Sequence, residues 1–323
     1  MKGRCGMKKN VIKVLAEKKA LTVLIIVCVI MSFVSPYFLT WGNISNLLVQ
    51  CSINGIMALG MTFAIIGGEF DLSIGAIMAL SGISCIMLQP YLPLPLILLI
   101  VLLLGSAIGF FNGFLIAHQG ANAFIITIGA SVVYKGIALT VSGGQPVMGS
   151  NLNFSKISNG DLFGIPYVVL IFAACFLIAA WILSSTSFGR NVYAVGGDKE
   201  VAAYTGIKVR FYKWSLFAIT GFTAALGGIL LASKLNTGSA IHGDMTPMQV
   251  ISAVVVGGNA LSGGEGGAFS ALIGILIFGV LDNALSLLNV YSYYQLGIKG
   301  ILIVLIVGTG CYAATHEKKR KLI

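Results

Sequence analysis

Long apolar runs alternate with short polar segments along almost the whole chain, and a membrane-crossing helix needs about 20 such apolar residues. The runs lie near residues 20–34 and 44–66, end near 88 and 117, and then lie near 123–141, 165–183, 214–232, 247–256, 268–285 and 294–312. The pattern therefore predicts about ten spans. The run at 247–256 is short for a complete crossing.

The composition supports a membrane protein rather than a soluble one. Hydrophobic residues make up 57% and charged residues 9% of the 323 positions, and the mean hydropathy is +0.97. Soluble domains carry about 25% charged residues. The 41 glycines are typical of helices that pack closely inside a membrane. We therefore predict an all-α, polytopic transmembrane bundle that forms a single domain over residues 1–323.

The basic residues are concentrated in three segments, the tails 1–19 and 315–323 and the interior loop 188–213. These segments hold 16 of the 20 lysines and arginines. The net charge of +10 could suggest a nucleic-acid partner, but this clustering instead follows the positive-inside rule. It predicts that both tails and the loop lie in the cytoplasm, that the spans are even in number, and that lipid is the surrounding partner. No A-x-A cleavage site follows the first apolar run, so we interpret that run as a span rather than a signal peptide.

The loop 188–213 contains a short helix with both ends marked. Asp198 is a suitable N-cap because its carboxylate can accept the free N–H groups of the first turn. Glu200 adds negative charge at the positive end of the helix. Gly206 can adopt the left-handed conformation that closes a helix.

Two features of this predicted helix suggest a partner. Val201 and Tyr204 are three residues apart and share a face, while Ala202 and Ala203 keep the helix slim enough to enter a groove. A helix of about two turns is marginal in water, so another surface must hold it. The alternative is an ordinary connecting loop at the membrane surface.

A glycine break separates the second and third apolar runs, and two carboxylates lie beside it. Glu69 and Asp71 follow Gly67 and Gly68 directly. Carboxylates at membrane depth are costly unless water, a partner or a ligand meets them. They would therefore support a polar translocation path or its gate. Alternatively, they cap the third span at the surface, with Asp71 or Ser73 as the N-cap.

The glycine break has a counterpart later in the chain. AIIGG at 64–68, followed by Leu-Ser, resembles VVVGG at 254–258, also followed by Leu-Ser. Transporters are often built from internal repeats. The likeness predicts either such a repeat or two similar glycine-rich helix ends that match by chance.

Several other polar residues lie inside predicted spans. Lys135, Asp282, Asn283 and Lys299 each interrupt an apolar run, and such residues face the bundle interior or water. Lys135 could pair with a carboxylate for a structural reason or serve a pathway. His118 and His242 lie near span ends without a partner at ligand spacing, and we interpret them as surface histidines.

The sequence lacks the motifs of the common catalytic and nucleotide-binding sites. It has no G-x-x-x-x-G-K-[ST], H-E-x-x-H or serine-elbow pattern. The glycines at 263–267 have no preceding soluble strand, so they do not indicate a dinucleotide site. The six cysteines are scattered, without metal-ligand spacing or a disulfide framework. We expect no enzymatic activity, metal or cofactor in this chain.

Four ordered motifs resemble a known family. GGEFDLSIG at 67–75 is similar to its segment GGIDLSVG, and AFIITIG at 123–129 to PAFIVTLG. GRNVYAVGG and the residues after it at 189–207 are similar to GRxxYAIGGNxxAAxxSGI, and 253–267 to AVVLGGTSLSGGxG. The chain thus resembles the inner-membrane permeases of ATP-binding-cassette (ABC) importers for sugars, the ribose and galactose type related to branched-chain amino-acid permeases.

The resemblance implies a function and a set of partners. The chain would be a multi-pass permease of the cell inner membrane for a sugar or related polar solute. It would act with a second, identical or different permease subunit, with ATPase subunits that use the ATP, and with an extracytoplasmic binding protein. Glu69-Phe70 stands where Gly-Ile is usual, and Asn122 where Pro is usual, which leaves the substrate open. Alternatives are an ion-coupled secondary transporter, a passive channel or a membrane enzyme.

Two groups of site residues follow from the motifs and the resemblance. The residues expected to couple to the ATPase are Asp198, Lys199, Glu200, Val201, Ala202, Ala203, Tyr204, Thr205, Gly206 and Ile207. The residues expected to line the translocation path or its gate are Gly67, Gly68, Glu69, Asp71, Ser73, Phe124, Gly257, Gly258 and Asn283.

Overall fold

The computed structural model describes residues 19–301 and 304, and it is built almost entirely from helices. The helices are α1 (Lys19–Val34), α2 (Trp41–Ile66), α3 (Ile74–Met87), α4 (Leu94–Gln119), α5 (Ala123–Ser142), α6 (Leu152–Asn159), α7 (Tyr167–Ser185), α8 (Ser187–Gly197), α9 (Lys199–Tyr204), α10 (Val209–Leu235), α11 (Thr246–Val256) and α12 (Ala268–Leu287). Residues 292–301 are also helical. Four two-residue strands complete the fold: β1 (Val147–Met148), β2 (Asp161–Leu162), β3 (Ile165–Pro166) and β4 (Thr237–Gly238).

Six of the described helices are long and apolar enough to cross a membrane, namely α2, α4, α5, α7, α10 and α12. Three shorter apolar helices, α1, α3 and α11, match other predicted spans. The prediction of a polytopic helical bundle is therefore confirmed. The tenth predicted span, at 294–312, lies mostly outside the described residues, and the count of ten stays a prediction.

Helix α2 is the centre of the bundle, and most of its residues are buried. Helix α10 packs along α4, and glycines on both helices make the approach close. A Cβ on Gly109 would overlap the carbonyl oxygen of Phe217, and one on Gly221 would overlap that of Gly105. Small residues allow such backbone contact between helices within a membrane.

The loop 188–213 contains more helix than predicted. Helix α8 fills its first part, and α10 begins at Val209, five residues before the predicted start of the seventh span near 214. The basic residues Arg210 and Lys213 lie within the first turns of α10. Basic residues mark the edge of the membrane, whereas a helix can continue beyond that edge into water.

The polar stretch 142–164 also contains structure of its own. Helix α6 lies in it, and β2 and β3 form a hairpin in which Leu162 faces Ile165 across the turn. Both turn residues, Phe163 and Gly164, have positive φ angles, as hairpins with two-residue turns require. Strand β1 pairs antiparallel with β4, so this stretch is joined to the segment after α10.

The two similar glycine pairs close their helices in the same way. After α2, Gly68 N donates to Ile65 O at 2.9 Å, with φ of 78° at Gly68. After α11, Gly258 N donates to Val255 O at 2.9 Å, with φ of 112° at Gly258. The next N–H in each case reaches back five residues, which is the Schellman helix end. This shared end accounts for the local likeness, and a larger repeat stays a prediction.

Candidate functional site

Helix α9 has the caps that its sequence predicts. The Asp198 carboxylate accepts hydrogen bonds from Glu200 N at 2.9 Å and Val201 N at 3.1 Å. At the other end Gly206 has a φ of 84°, and Ile207 N donates to Ala202 O at 3.1 Å. Both ends of α9 are therefore capped by groups of the chain itself.

The faces of α9 differ in exposure. Ala202 is buried against the chain itself, with 3% exposure. Val201 and Tyr204 share the outer face, with 56% and 89% of their surfaces exposed, and Ala203 is exposed as well. The predicted shared face is confirmed, and it is turned away from the rest of the chain.

Helix α8 connects α9 to the bundle. Its Val192 and Val195 are buried, three residues apart on one face. Tyr193 donates a hydrogen bond to the carbonyl oxygen of Gly266 at 2.9 Å. Burial raises the pKa of Tyr193, so its hydroxyl keeps the donated proton through the neutral range. Asn191 donates to Tyr212 Oη at 2.6 Å, which joins α8 to α10.

Three glycine-containing segments meet where α2 and α8 end. Gly264 N donates to Ile66 O at 2.8 Å. A Cβ on Gly196 would overlap that same carbonyl oxygen, and one on Gly263 would lie 2.6 Å from Gly196 O. Residues without side chains are required here because the backbones touch directly. We call this contact of residues 66–68, 196–197 and 263–264 the glycine junction.

A polar cavity of about 490 Å³ opens beside the glycine junction, and we call it the loop cavity. Its walls are formed by Gly67, Gly68, Glu69, Val195, Gly196, Gly197, Asp198, Lys199, Glu200, Lys213 and Ser262. The two groups of predicted site residues therefore meet here, although Gly68 and Lys199 are 131 positions apart in the sequence.

Glu69 and Lys213 form an ion pair in the wall of the loop cavity. The Glu69 side chain is 12% exposed and the Lys213 side chain 19% exposed, so water can still reach the pair. The contact links the end of α2 to the first turns of α10. Glu69 is one of the departures from the family motif, and its partner Lys213 is one of the basic residues of the loop 188–213.

Asp71 lies in different surroundings, although it is two residues from Glu69. It is completely buried, and its carboxylate accepts from Ser73 N at 2.9 Å, from Ser73 Oγ at 2.5 Å and from Thr220 Oγ1. Asn112 Nδ2 donates to Ser73 Oγ at 3.0 Å, and Tyr134 Oη donates to Asn112 Oδ1 at 2.6 Å. We call these five residues the Asp71 network.

The Asp71 network joins the start of α3 to α4, α5 and α10. Ser73 occupies the N-cap position of α3, as the capping alternative allows, but its side chain makes no capping hydrogen bond, and its own N–H donates to Asp71. Asp71 has no exposed area within the chain, and its location at the membrane surface stays a prediction. Asp71 also does not line the loop cavity.

The remaining predicted path residues lie elsewhere. Gly257 packs on α12, where a Cβ would overlap Ser270 O, and Gly258 follows it at the helix end. Phe124 lies in the first turn of α5 and is half exposed. Asn283 exchanges two hydrogen bonds with Asn43, at 2.6 and 3.0 Å. The structure thus groups Gly67, Gly68 and Glu69 and separates the rest.

The charged residues inside predicted spans have partners. Lys135 pairs with Asp244 at 2.7 Å, as the structural alternative for this lysine expects. Asp282 pairs with Lys299 at 2.8 Å. His118 is exposed, as predicted, whereas His242 is half buried in the loop before α11. Burial lowers the pKa of His242, which favours its neutral form at pH 7.

The sequence reasoning missed Lys213 as the partner of Glu69, and it missed Thr220, Asn112 and Tyr134. A usable signal was present for Asn112, which is a carboxamide in the middle of an apolar span. Polar side chains at such positions usually bond across helices. Among the described residues, no group of three or more His, Cys, Asp or Glu side chains could hold a metal ion.

Comparison with known proteins identifies the family. The sequence model described as "Branched-chain amino acid transport system / permease component" matches residues 43–307, which is most of the chain. The chain belongs to this permease family. The resemblance carried by the four motifs is therefore confirmed, and α9 with the loop cavity and the Asp71 network are features of a permease.

Curated relatives match over nearly the whole permease. It is 37% identical to the ribose import permease protein of Haemophilus influenzae, over 94% of this chain and 95% of the relative. It is 39% identical to the ribose import permease protein of Bacillus subtilis, over 88% and 89%. It is 37% identical to the D-allose transport system permease protein of Escherichia coli, over 88% of each. No solved structure matched the permease.

Proposed function

We propose that this chain is the membrane-spanning permease subunit of an ABC importer for a sugar. The observation that carries the proposal is the family match together with sugar permeases that align over nearly the full length. The chain is a multi-pass membrane protein, and permease components are not themselves enzymes. The ion-coupled secondary transporter is not supported by any of these relatives.

The substrate class is a neutral monosaccharide. Relatives named for ribose, allose and xylose share 30–39% identity with this chain. These sugars are uncharged polyols, so the path must offer donors and acceptors without fixed charge. The six candidate spans provide the apolar shell around such a path.

We propose the partners that the resemblance implies: ATPase subunits, a second permease subunit and an extracytoplasmic sugar-binding protein. ATP would be bound and hydrolysed by the ATPase subunits, and this chain would hold no cofactor. The absence of a P-loop from the sequence supports that division of labour. Nucleic acid is not a partner, because the basic residues follow the membrane topology.

Coupling to the ATPase would run through α9. Its outer face presents Val201, Ala203 and Tyr204 without a partner in the described chain, and an apolar pair on a short helix suits a groove on another protein. Movement of α9 would be transmitted through α8, since Gly196 touches Ile66 O with no free space between them. The end of α2 and the Glu69–Lys213 pair would then change position with α8.

We propose that α8, α9 and both termini lie on the cytoplasmic side of the cell inner membrane. Single cysteines in a cysteine-free background test this orientation. Leu152 in α6 is 77% exposed, and a side chain added at Gly197 would meet open space, so Leu152→Cys and Gly197→Cys are suitable positions. The polar stretch 142–164 has few charges, which suits an extracytoplasmic loop. A membrane-impermeant thiol reagent added outside spheroplasts should therefore label the first cysteine and not the second. Labelling of both from outside contradicts the orientation.

The central experiment is reconstitution of the complete importer. The permease is purified with the ATPase from the same gene neighbourhood and placed in proteoliposomes, with the binding protein and a panel of labelled monosaccharides outside. We expect ATP-dependent uptake of at least one pentose or hexose that requires the binding protein. Uptake driven by a proton or sodium gradient without ATP would contradict the proposal.

A further inference from the structure

A second polar location lies between α2, α11 and α12, away from the loop cavity, with Gln50 exposed and Asn54 and Gln249 partly buried. Gln50 and Asn54 are four residues apart on one face of α2. Together with Gln249 of α11 they line a narrow cleft, here called the amide cleft. Its walls are formed by Gln50, Cys51, Asn54, Gln249, Val250, Ala253, Ile275, Phe278, Gly279 and Asp282.

The three carboxamides of the amide cleft have no hydrogen-bond partner among the described residues. By contrast, the carboxamides of Asn43 and Asn283 bond to each other, and that of Asn112 bonds within the Asp71 network. Because none of the three side chains is fully buried, their donors and acceptors are open to a partner that the described residues do not supply. Three such carboxamides that converge on one cleft indicate a binding function rather than a structural one.

The charge in the amide cleft is compensated. Asp282 is 8% exposed and pairs with Lys299 at 2.8 Å. The groups left to meet a ligand are therefore neutral carboxamides, each with one acceptor oxygen and two N–H donors. A sugar hydroxyl both donates and accepts, so neighbouring hydroxyls match this set, whereas an ion would find no uncompensated charge.

The amide cleft is closed in this structure. Its free volume is about 10 Å³, which is the space of about one water. Apolar side chains close it, with Val250 fully buried and Phe278 8% exposed. Helix α11 forms one wall and has only 11 residues before the glycine pair at 257–258. A monosaccharide could therefore enter only when the cleft widens.

We propose that Gln50, Asn54 and Gln249 form a sugar-contacting constriction that opens during transport and grips the monosaccharide by its hydroxyls. The proposal rests on the proposed function and deepens it by naming substrate contacts. These contacts would hold the sugar only while the cleft is open, so they would favour passage over tight binding.

The test uses the complete importer in proteoliposomes with Gln50→Leu, Asn54→Leu and Gln249→Leu, singly and together. We expect sugar uptake to fall at least 10-fold in the triple variant. ATPase activity stimulated by the binding protein should stay within 2-fold of the unmodified importer. The melting temperature of the permease in detergent should not fall, because the three side chains make no hydrogen bond to the described residues. A purely structural role for the amides would lower it.

Asn46→Leu is the matched control, since Asn46 is an exposed carboxamide on the same helix and does not line the amide cleft. It should leave uptake unchanged. The milder Asn54→Gln and Gln249→Asn keep the amides but shift them by one methylene, and they should change the ratio of uptake rates between two monosaccharides.

Two outcomes overturn the proposal in distinguishable ways. If the unmodified importer takes up a sugar and the triple variant does so at the same rate, the amide cleft is not a contact site, while the proposed function stands. If the unmodified importer takes up no monosaccharide, both the proposed function and the substrate contacts fail.

Discussion

Glu69 and Asp71 are two positions apart in the sequence and belong to two different regions of the molecule. Glu69 lines the loop cavity and meets Lys213, with both side chains partly exposed. Asp71 has no exposed area and accepts hydrogen bonds within the Asp71 network. The chain turns between them from the end of α2 to the start of α3, so one carboxylate faces the polar cavity and the other the core.

This contrast shows how surroundings assign different tasks to the same functional group. A buried carboxylate with several donors is costly to disturb, because each donor loses its partner. A partly exposed ion pair contributes little, because water replaces either partner. The Asp71 network should therefore hold helices in place, whereas the region around the loop cavity can change its contacts. Four substitutions test this difference, from the largest expected effect to the smallest.

Asp71→Ala should be the most damaging. It leaves Ser73 N and the Ser73 hydroxyl without their acceptor in the core, and each unsatisfied buried group costs about 1–3 kcal/mol. We expect the free energy of unfolding to fall by about 3 kcal/mol or more, measured as thermal unfolding of the purified permease in detergent. Asp71→Asn keeps an acceptor oxygen and should lose much less. Equal stability of Asp71→Ala and the unmodified protein would remove the distinction between the two carboxylates.

Ala203→Arg tests the outer face of α9. A charge placed in an interface without a partner weakens association by about 2–5 kcal/mol. The variant should insert into the membrane normally, because Ala203 is exposed, but should no longer copurify with the ATPase. Lys199→Ala is the control, and it should be much milder because an exposed charge at a rim contributes little. Copurification of Ala203→Arg at the normal ratio, with uptake preserved, would make this loop a simple connector.

Gly196→Ala tests the glycine junction against a neighbour. The new Cβ would overlap the Ile66 carbonyl oxygen, and overpacking of this kind costs about 1–3 kcal/mol. Gly197→Ala has no atom within 4 Å of its Cβ, so it should leave thermal stability unchanged. We expect Gly196→Ala to lower both stability and ATP-dependent uptake in proteoliposomes. Similar behaviour of the two alanine variants would argue against a tight junction.

Glu69→Gln should have the smallest effect. The Glu69–Lys213 pair borders the loop cavity, and partly exposed pairs contribute about 1 kcal/mol or less. Thermal stability and uptake should each change only slightly, by about 3-fold at most for uptake. A double-mutant cycle with Lys213→Gln isolates the coupling between the two side chains. A coupling as large as the loss in Asp71→Ala would erase the contrast between the two regions.

Much of this protein could be predicted from local sequence. The apolar runs identify nine of the described helices within a few residues, because a helix satisfies its own backbone groups inside a membrane. The caps at Asp198 and Gly206 end α9 where predicted, since each cap depends on groups within a few positions. The four motifs identify the family for a similar reason, because each is a short contiguous pattern.

The contacts between distant segments were decided by the tertiary structure alone. Lys213 meets Glu69 from 144 positions away, and Thr220 meets Asp71 from 149 positions away. The sequence shows a glycine at position 196, but only the packed chain shows that the Ile66 carbonyl oxygen occupies the space that a side chain there would need. The sequence by itself determines which segments are helices and where they end, because those interactions are local. Which polar groups meet depends on how the helices pack, and packing is a property of the whole bundle.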